Sequence, residues 1–264
     1  MRIEQILQDL QIDGWSVLEG VIPTDEVGTV RAEVEAVTAA QGVSRTYQGL
    51  HSARGILSQV SSFLPYLSDE RVLGVATRWF GPHVRISFTN TLITDPGNQR
   101  GGWHADWPYN QEKAAHIPAP YPDFPVQLST LWMLSDFTLD NGGTLIVLGS
   151  HRTSDNPTGT MGVDRFKPYR TQMQVTGAAG SVLVFDSRLW DATASNTSDG
   201  PHVAMVVRYA PWWLNLAVLM PGSEERKRMV EEPGLTENEV PPVPADVYER
   251  LPENVQPLYR HWVR

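Results

Sequence analysis

Cysteine is absent from all 264 residues. That removes disulfides, thiolate nucleophiles and Cys-ligated zinc or iron–sulfur centres from consideration. Positive charge is also short: 21 Lys and Arg stand against 30 Asp and Glu, a net charge of −9. Such a chain has no sequence-independent grip on nucleic acid or an anionic membrane, so neither is expected as a partner. No stretch approaches the roughly 20 apolar residues of a membrane span. Residues 1–20 carry acids where a secretory signal would be apolar, so a cytoplasmic location is expected. What the chain does have is nine Trp and 20 Pro, an aromatic-rich, loop-rich composition unlike that of a helical bundle. The 41% hydrophobic and 19% charged content is that of an ordinary globular protein.

The first 80 residues read as helical with one short strand. Apolar residues at 3, 6, 7 and 10 have helical spacing, and Gly14 ends that run. Trp15 to Leu18 reads as a strand. Pro23-Thr24-Asp25-Glu26 has a capping residue and first-turn acids, predicting a helix to about Ala40. The spacing predicts a second long helix over Pro65–Trp79, stopped by Gly81-Pro82. From Val84 the grammar becomes short β runs broken by Gly, Pro, Asn and Asp. Strands are expected over 84–93, 128–135, 143–148, 172–175, 181–186 and 203–209. A tail from about 211 to 264 has one helix candidate, Glu224–Glu232. Helices followed by an all-β body predict a β-sandwich or barrel with helices against one side, organised as a single domain over 1–264.

Within that body lies Gly101-Gly102-Trp103-His104-Ala105-Asp106-Trp107. Two residues apart on an extended segment, His104 and Asp106 share a face. An imidazole and a carboxylate so placed could form two-thirds of a facial triad for a non-haem metal. A hydrogen-bonded pair at a strand end is the simpler alternative. Flanking glycines and the aromatic residues Trp103 and Trp107 favour a pocket, and both tryptophans are candidates for its wall.

Several ordered motifs resemble the phytanoyl-CoA dioxygenase family. They are Asp13-Gly14-Trp15-Ser16-Val17-Leu18, Trp103-His104-Ala105-Asp106, Asp140-Asn141-Gly142-Gly143-Thr144-Leu145, Leu148-Gly149-Ser150-His151 and Phe185-Asp186-Ser187-Arg188-Leu189-Trp190. The resemblance implies a mainly β, double-stranded β-helix (cupin-like jelly roll) with N-terminal and flanking helices. It also implies Fe(II) and 2-oxoglutarate as cofactors, and oxidation of unactivated C–H bonds in small molecules, as in secondary metabolism. Carried onto this chain, it places the metal on His104, Asp106 and a distal third position, which is Asp191 instead of a histidine. The position of the arginine that grips the far carboxylate of 2-oxoglutarate is occupied by His202, while the supporting hydroxyl is kept as Thr193.

These two departures put both cofactors in question. Aspartate can ligate Fe(II), but a second carboxylate neutralises the ion's charge and reduces its pull on a dianion. One imidazole cannot copy a bidentate guanidinium, which predicts about 10- to 10³-fold weaker 2-oxoglutarate binding. Arg208 shares the strand parity of His202, yet six residues span about 20 Å, too far for simple replacement. Asn90 and Ser129 are candidate cofactor contacts, and His51 is a candidate pocket residue from a Gly-containing loop. The Pro-rich insertion 109–125 is a candidate lid. Three functions are carried forward: an oxygenase on a small molecule with an atypical cofactor site, a non-redox enzyme using His104, Asp106, Asp191 or His202 as acids and bases, and a non-catalytic binding relative. The substrate and oligomeric state are not legible.

Overall fold

The computed structural model describes residues 2–41, 44–45, 49–106, 123–153, 156–158, 162–235 and 237–264. Helix α1 spans Ile3–Ile12 and strand β1 Trp15–Leu18, with α2 following at Thr24–Gln41. Two short strands, β2 (Ser44–Arg45) and β3 (Leu50–His51), precede α3 (Glu70–Phe80). The body then comprises β4 (Arg85–Thr94), β5 (Leu128–Met133), β6 (Thr144–Val147), β7 (Gln172–Gln174), β8 (Val182–Asp186), β9 (Asp191–Thr193) and β10 (His202–Ala210).

The strands form a seven-stranded sheet, in the order β1-β8-β5-β10-β4-β3-β2, and a three-stranded sheet, β7-β6-β9. All the paired strands are antiparallel. This is the expected jelly roll, two sheets packed face to face with helices outside the larger one. The large sheet is covered on both faces, which explains why β5 and β8 are buried at every position instead of alternating. Leu128, Trp132, Val182, Val184, Val203, Met205, Val207 and Tyr209 face the helical layer. Leu131, Met133, Leu183, Phe185, Ala204 and Val206 face the small sheet and meet Ile146 and Phe137. Strand parity therefore assigns every residue of β10 to one of two cores, and His202 and Arg208 both belong to the face between the sheets.

Two sequence expectations are corrected. The long helix over 65–79 is two elements: a 3-10 helix at Ser61–Ser68 and then α3. Asp69 separates them because its carboxylate accepts from the backbone N–H groups of Arg71 and Val72, capping a new helix start. In the tail, the helical segment after Ser223 is three residues of α-helix continuing into a π-helical turn over Lys227–Glu231. Most of the insertion 109–125 lies outside the described residues.

Candidate metal centre and its cavity

His104 sits in an extended segment that runs alongside β9 as an added strand. The Gly101 N–H donates to the Thr193 carbonyl at 2.9 Å, His104 N–H to the Asp191 carbonyl at 3.1 Å, and Asp191 N–H back to the His104 carbonyl at 2.8 Å. His104 and Asp191 are thus directly opposed across a bridge, and directly opposed residues project from the same face. Asp106, two residues on, completes the group: one ligand atom from each of His104, Asp106 and Asp191 lies within 4.8 Å of the others. His104 Nε2 is 3.8 Å from Asp106 Oδ1 and 3.5 Å from Asp191 Oδ2.

Each ligand is aimed by a neighbour. His104 Nδ1 lies 3.2 Å from the Gly102 carbonyl. A carbonyl only accepts, so Nδ1–H donates to it and Nε2 is the ring nitrogen turned towards the two carboxylates. Ser129 Oγ donates to Asp106 Oδ2 at 2.6 Å and is itself within 2.8 Å of Ser187 Oγ. Arg208 Nη2 donates to Asp106 Oδ1. Ser129 and Arg208 are register partners on β5 and β10, so one carboxylate is held at both oxygens by adjacent strands. Asp191 is buried, and its Oδ1 has no hydrogen-bond partner among the described residues. Burial pushes its carboxyl well above the usual carboxylate range, with Asp106 adding to the rise and His104 and Arg208 opposing it. A buried carboxylate short of a partner, beside an imidazole nitrogen and a second carboxylate, fits a divalent cation.

The group opens into a cavity of about 540 Å³, the size of a small-molecule site. Thr193 and Asn90 line it, as do Thr144, Asn98 and Arg208. The tail contributes Glu237 and Asn238, and Arg54 and Arg165 complete a polar wall. The wall packs closely on Gly102, where a Cβ would stand 2.9 Å from Arg165 Nε and 3.0 Å from a Phe166 ring carbon.

The remaining expected site residues fall elsewhere. Ser129 does not reach the cavity and stands behind Asp106. Trp103 is fully buried and donates its indole N–H to the Lys167 carbonyl at 2.9 Å, in an apolar cluster with Trp190 and Leu145. It supports the metal segment instead of lining the cavity. His51 pairs with Asp95 at 2.5 Å on an exposed edge. Trp107 lies outside the described residues. His202 is 1% exposed, its ring centroid 4.3 Å from that of Phe137, and neither ring nitrogen has a partner among the described residues. Burial lowers its pKa to about 4, so it is neutral near pH 7 and supplies no cation. Sequence reasoning passed over Arg208 because it measured the distance from His202. The metal group lies at the other end of β10, a fact set by strand register.

Comparison with known proteins agrees with this architecture. A family model described as phytanoyl-CoA dioxygenase (PhyH) matches residues 10–204. An ectoine dioxygenase of Nocardia farcinica is 26% identical over 221 residues, covering 72% of each chain. A dioxygenase, af480, of Aspergillus fumigatus is 24% identical over 221 residues, 79% of this chain and 67% of the relative. Among solved structures, HygX from Streptomyces hygroscopicus with nickel, 2-oxoglutarate and hygromycin B bound superposes with a TM-score of 0.65 at 17% identity, over 89% of this chain and 95% of that one.

Proposed function

The chain belongs to the phytanoyl-CoA dioxygenase family, and from that membership we propose that it is a non-haem iron, 2-oxoglutarate-type oxygenase acting on a small organic molecule. The observation that carries this is the convergence of His104 Nε2, Asp106 and Asp191 at the wall of the cavity. Relatives named as dioxygenases and a structural neighbour with nickel and 2-oxoglutarate bound support the same reading. The large sheet, the N-terminal helices and the tail share one apolar cluster, which supports treating 1–264 as one unit.

His104, Asp106 and Asp191 would hold the metal. Bound there, Fe(II) supplies the redox centre at which 2-oxoglutarate and oxygen are used to oxidise a substrate C–H bond. The protein's own contribution is positional. The Gly102 carbonyl orients the His104 ring, and Ser129 and Ser187 hold Asp106. The His104–Asp191 bridge keeps two ligands facing each other without reliance on a mobile loop. Three protein ligands would leave coordination positions of a bound ion free for small molecules. Thr193, Thr144 and Asn98 offer polar contacts in the same cavity, while Arg54 and Arg165 with Glu237 and Asn238 favour a polar substrate over a purely apolar one. Phe88, Leu92, Leu131 and Val206 form the apolar side.

Anaerobic titration of the metal-free protein with Fe(II) and then 2-oxoglutarate tests the proposal. A weak visible charge-transfer band that needs both additions is expected. Substrate turnover that persists in chelator and without oxygen, with no such band, would replace it with a non-redox acid–base enzyme on the same fold.

A further inference from the structure

The inward row of β10 has two ends. At one end His202 is neutral, packed on Phe137 and absent from the cavity wall. Ala204 and Val206 follow it, in a cluster with Leu131 and Ile146. These three inward residues of β10 present no cation to an anion. At the other end is Arg208, whose guanidinium lies over the Phe88 ring at 5.0 Å and lines the cavity. Its Nε is buried with no hydrogen-bond partner among the described residues.

Arg208 donates to Asp106 Oδ1, and this is the oxygen that faces His104 Nε2. It is therefore the oxygen a metal would take. A divalent ion and a guanidinium drawn to the same oxygen repel each other strongly inside a protein. Asp106 does not depend on Arg208 for its orientation, because Ser129 holds Oδ2 with Ser187 behind it. Metal entry thus leaves a fork of N–H donors, seated on an aromatic ring beside the ion, in need of an anion.

We propose that Arg208 is the anion anchor of this cavity, binding a carboxylate of the 2-oxo acid that chelates the metal, in place of a cation at the His202 end of β10. The assignment rests on the oxygenase reading above. It makes Arg208 a counter-ion with two partners: Asp106 when the metal is absent and the oxo acid when it is present.

The test is calorimetric titration of the full chain with Mn(II), which does not turn over, followed by 2-oxoglutarate. Arg208→Gln should bind Mn(II) at least as tightly as the wild type, since a competing cation is gone. The Mn(II)-loaded variant should bind 2-oxoglutarate about 10- to 10³-fold more weakly. Arg208→Lys, which keeps the charge but loses the fork, should fall between the two. His202→Phe should leave 2-oxoglutarate affinity unchanged. Weakened Mn(II) binding in Arg208→Gln with unaltered 2-oxoglutarate affinity would make Arg208 a positioning residue for Asp106 and overturn the proposal. Loss of 2-oxoglutarate affinity in His202→Phe would overturn it too. If Arg208→Gln binds neither ligand, Arg208→Lys decides: Mn(II) binding with weakened 2-oxoglutarate supports the anchor, and undiminished 2-oxoglutarate affinity refutes it. A wild-type protein that binds Mn(II) but no 2-oxoglutarate would instead remove the oxygenase reading on which the anchor depends.

Discussion

His104 and His202 show how burial decides what an imidazole can do. His104 keeps its Nε2 at a cavity wall between two carboxylates, with Nδ1 committed to Gly102. Neither ring nitrogen of His202 has a hydrogen-bond partner among the described residues, and its pKa is lowered to about 4 by desolvation. The unfolded chain protonates this residue near pH 6.5, whereas the folded chain resists until about 4. The stability associated with neutral His202 is therefore fully present above pH 6.5 and is lost as pH falls from 6.5 towards 4, by up to about 3 kcal/mol. His261, also lowered to about 4 by burial, falls in the same direction, so the variant isolates one contribution. His202→Phe, which retains ring packing on Phe137, should lose about 3 kcal/mol less than the wild type between pH 7 and 4, measured from urea midpoints across pH. The parity of His104 and Asp106 was readable from their spacing alone. The roles of Ser129 and Arg208 were not, because both depend on which neighbour each strand has.

At the scale of elements, the best-read segments are those whose pattern has a local cause. The first helix, β1, the strands from β4 to β8 and β10 follow from apolar spacing and breakers, and their positions agree to within a few residues. Strand β9 was missed. Its three residues carry no strand pattern of their own and are extended because β6 on one side and the 101–104 segment on the other supply their hydrogen bonds. The N-terminal layer is tied to the sheet at a comparably narrow point. Val21 and Ile22 both donate their N–H groups to the Gly180 carbonyl at 2.8 and 2.9 Å. Gly180 has φ +89°, and a Cβ there would run into the Ile22 carbonyl oxygen. Gly180→Ala should therefore destabilise the protein by about 2 kcal/mol or more, seen as a lower denaturant midpoint. An unchanged midpoint would mean that this junction relaxes freely.

For the whole molecule, the metal group links function to stability. Its three ligands come from the 101–106 segment and β9, brought together by folding and far apart in an unfolded chain. A metal that binds only the folded state adds about 2.7 kcal/mol at 100 times its dissociation constant. For a chain of this size that corresponds to a melting temperature about 5–10 °C higher. Adding Mn(II) to chelator-treated protein should produce that rise, and His104→Ala should abolish it. A rise that survives in the variant would place the ion elsewhere. Among the described residues no helix is long and apolar enough to cross a membrane, in line with the lack of long apolar runs in the sequence.

The sequence by itself determined the layered β architecture, the family and the two residues at its centre, because these depend on local periodicity, turn chemistry and short motifs. It also showed that Asp191 and His202 replace expected groups. Only the tertiary structure decided what those replacements do. Asp191 is brought opposite His104 by a backbone bridge between segments nearly 90 residues apart in number, while His202 is sealed against Phe137 and Arg208 turned onto Asp106. Charge, desolvation and ligand geometry depend on which side chains surround a group, and for these residues the deciding neighbours come from other strands.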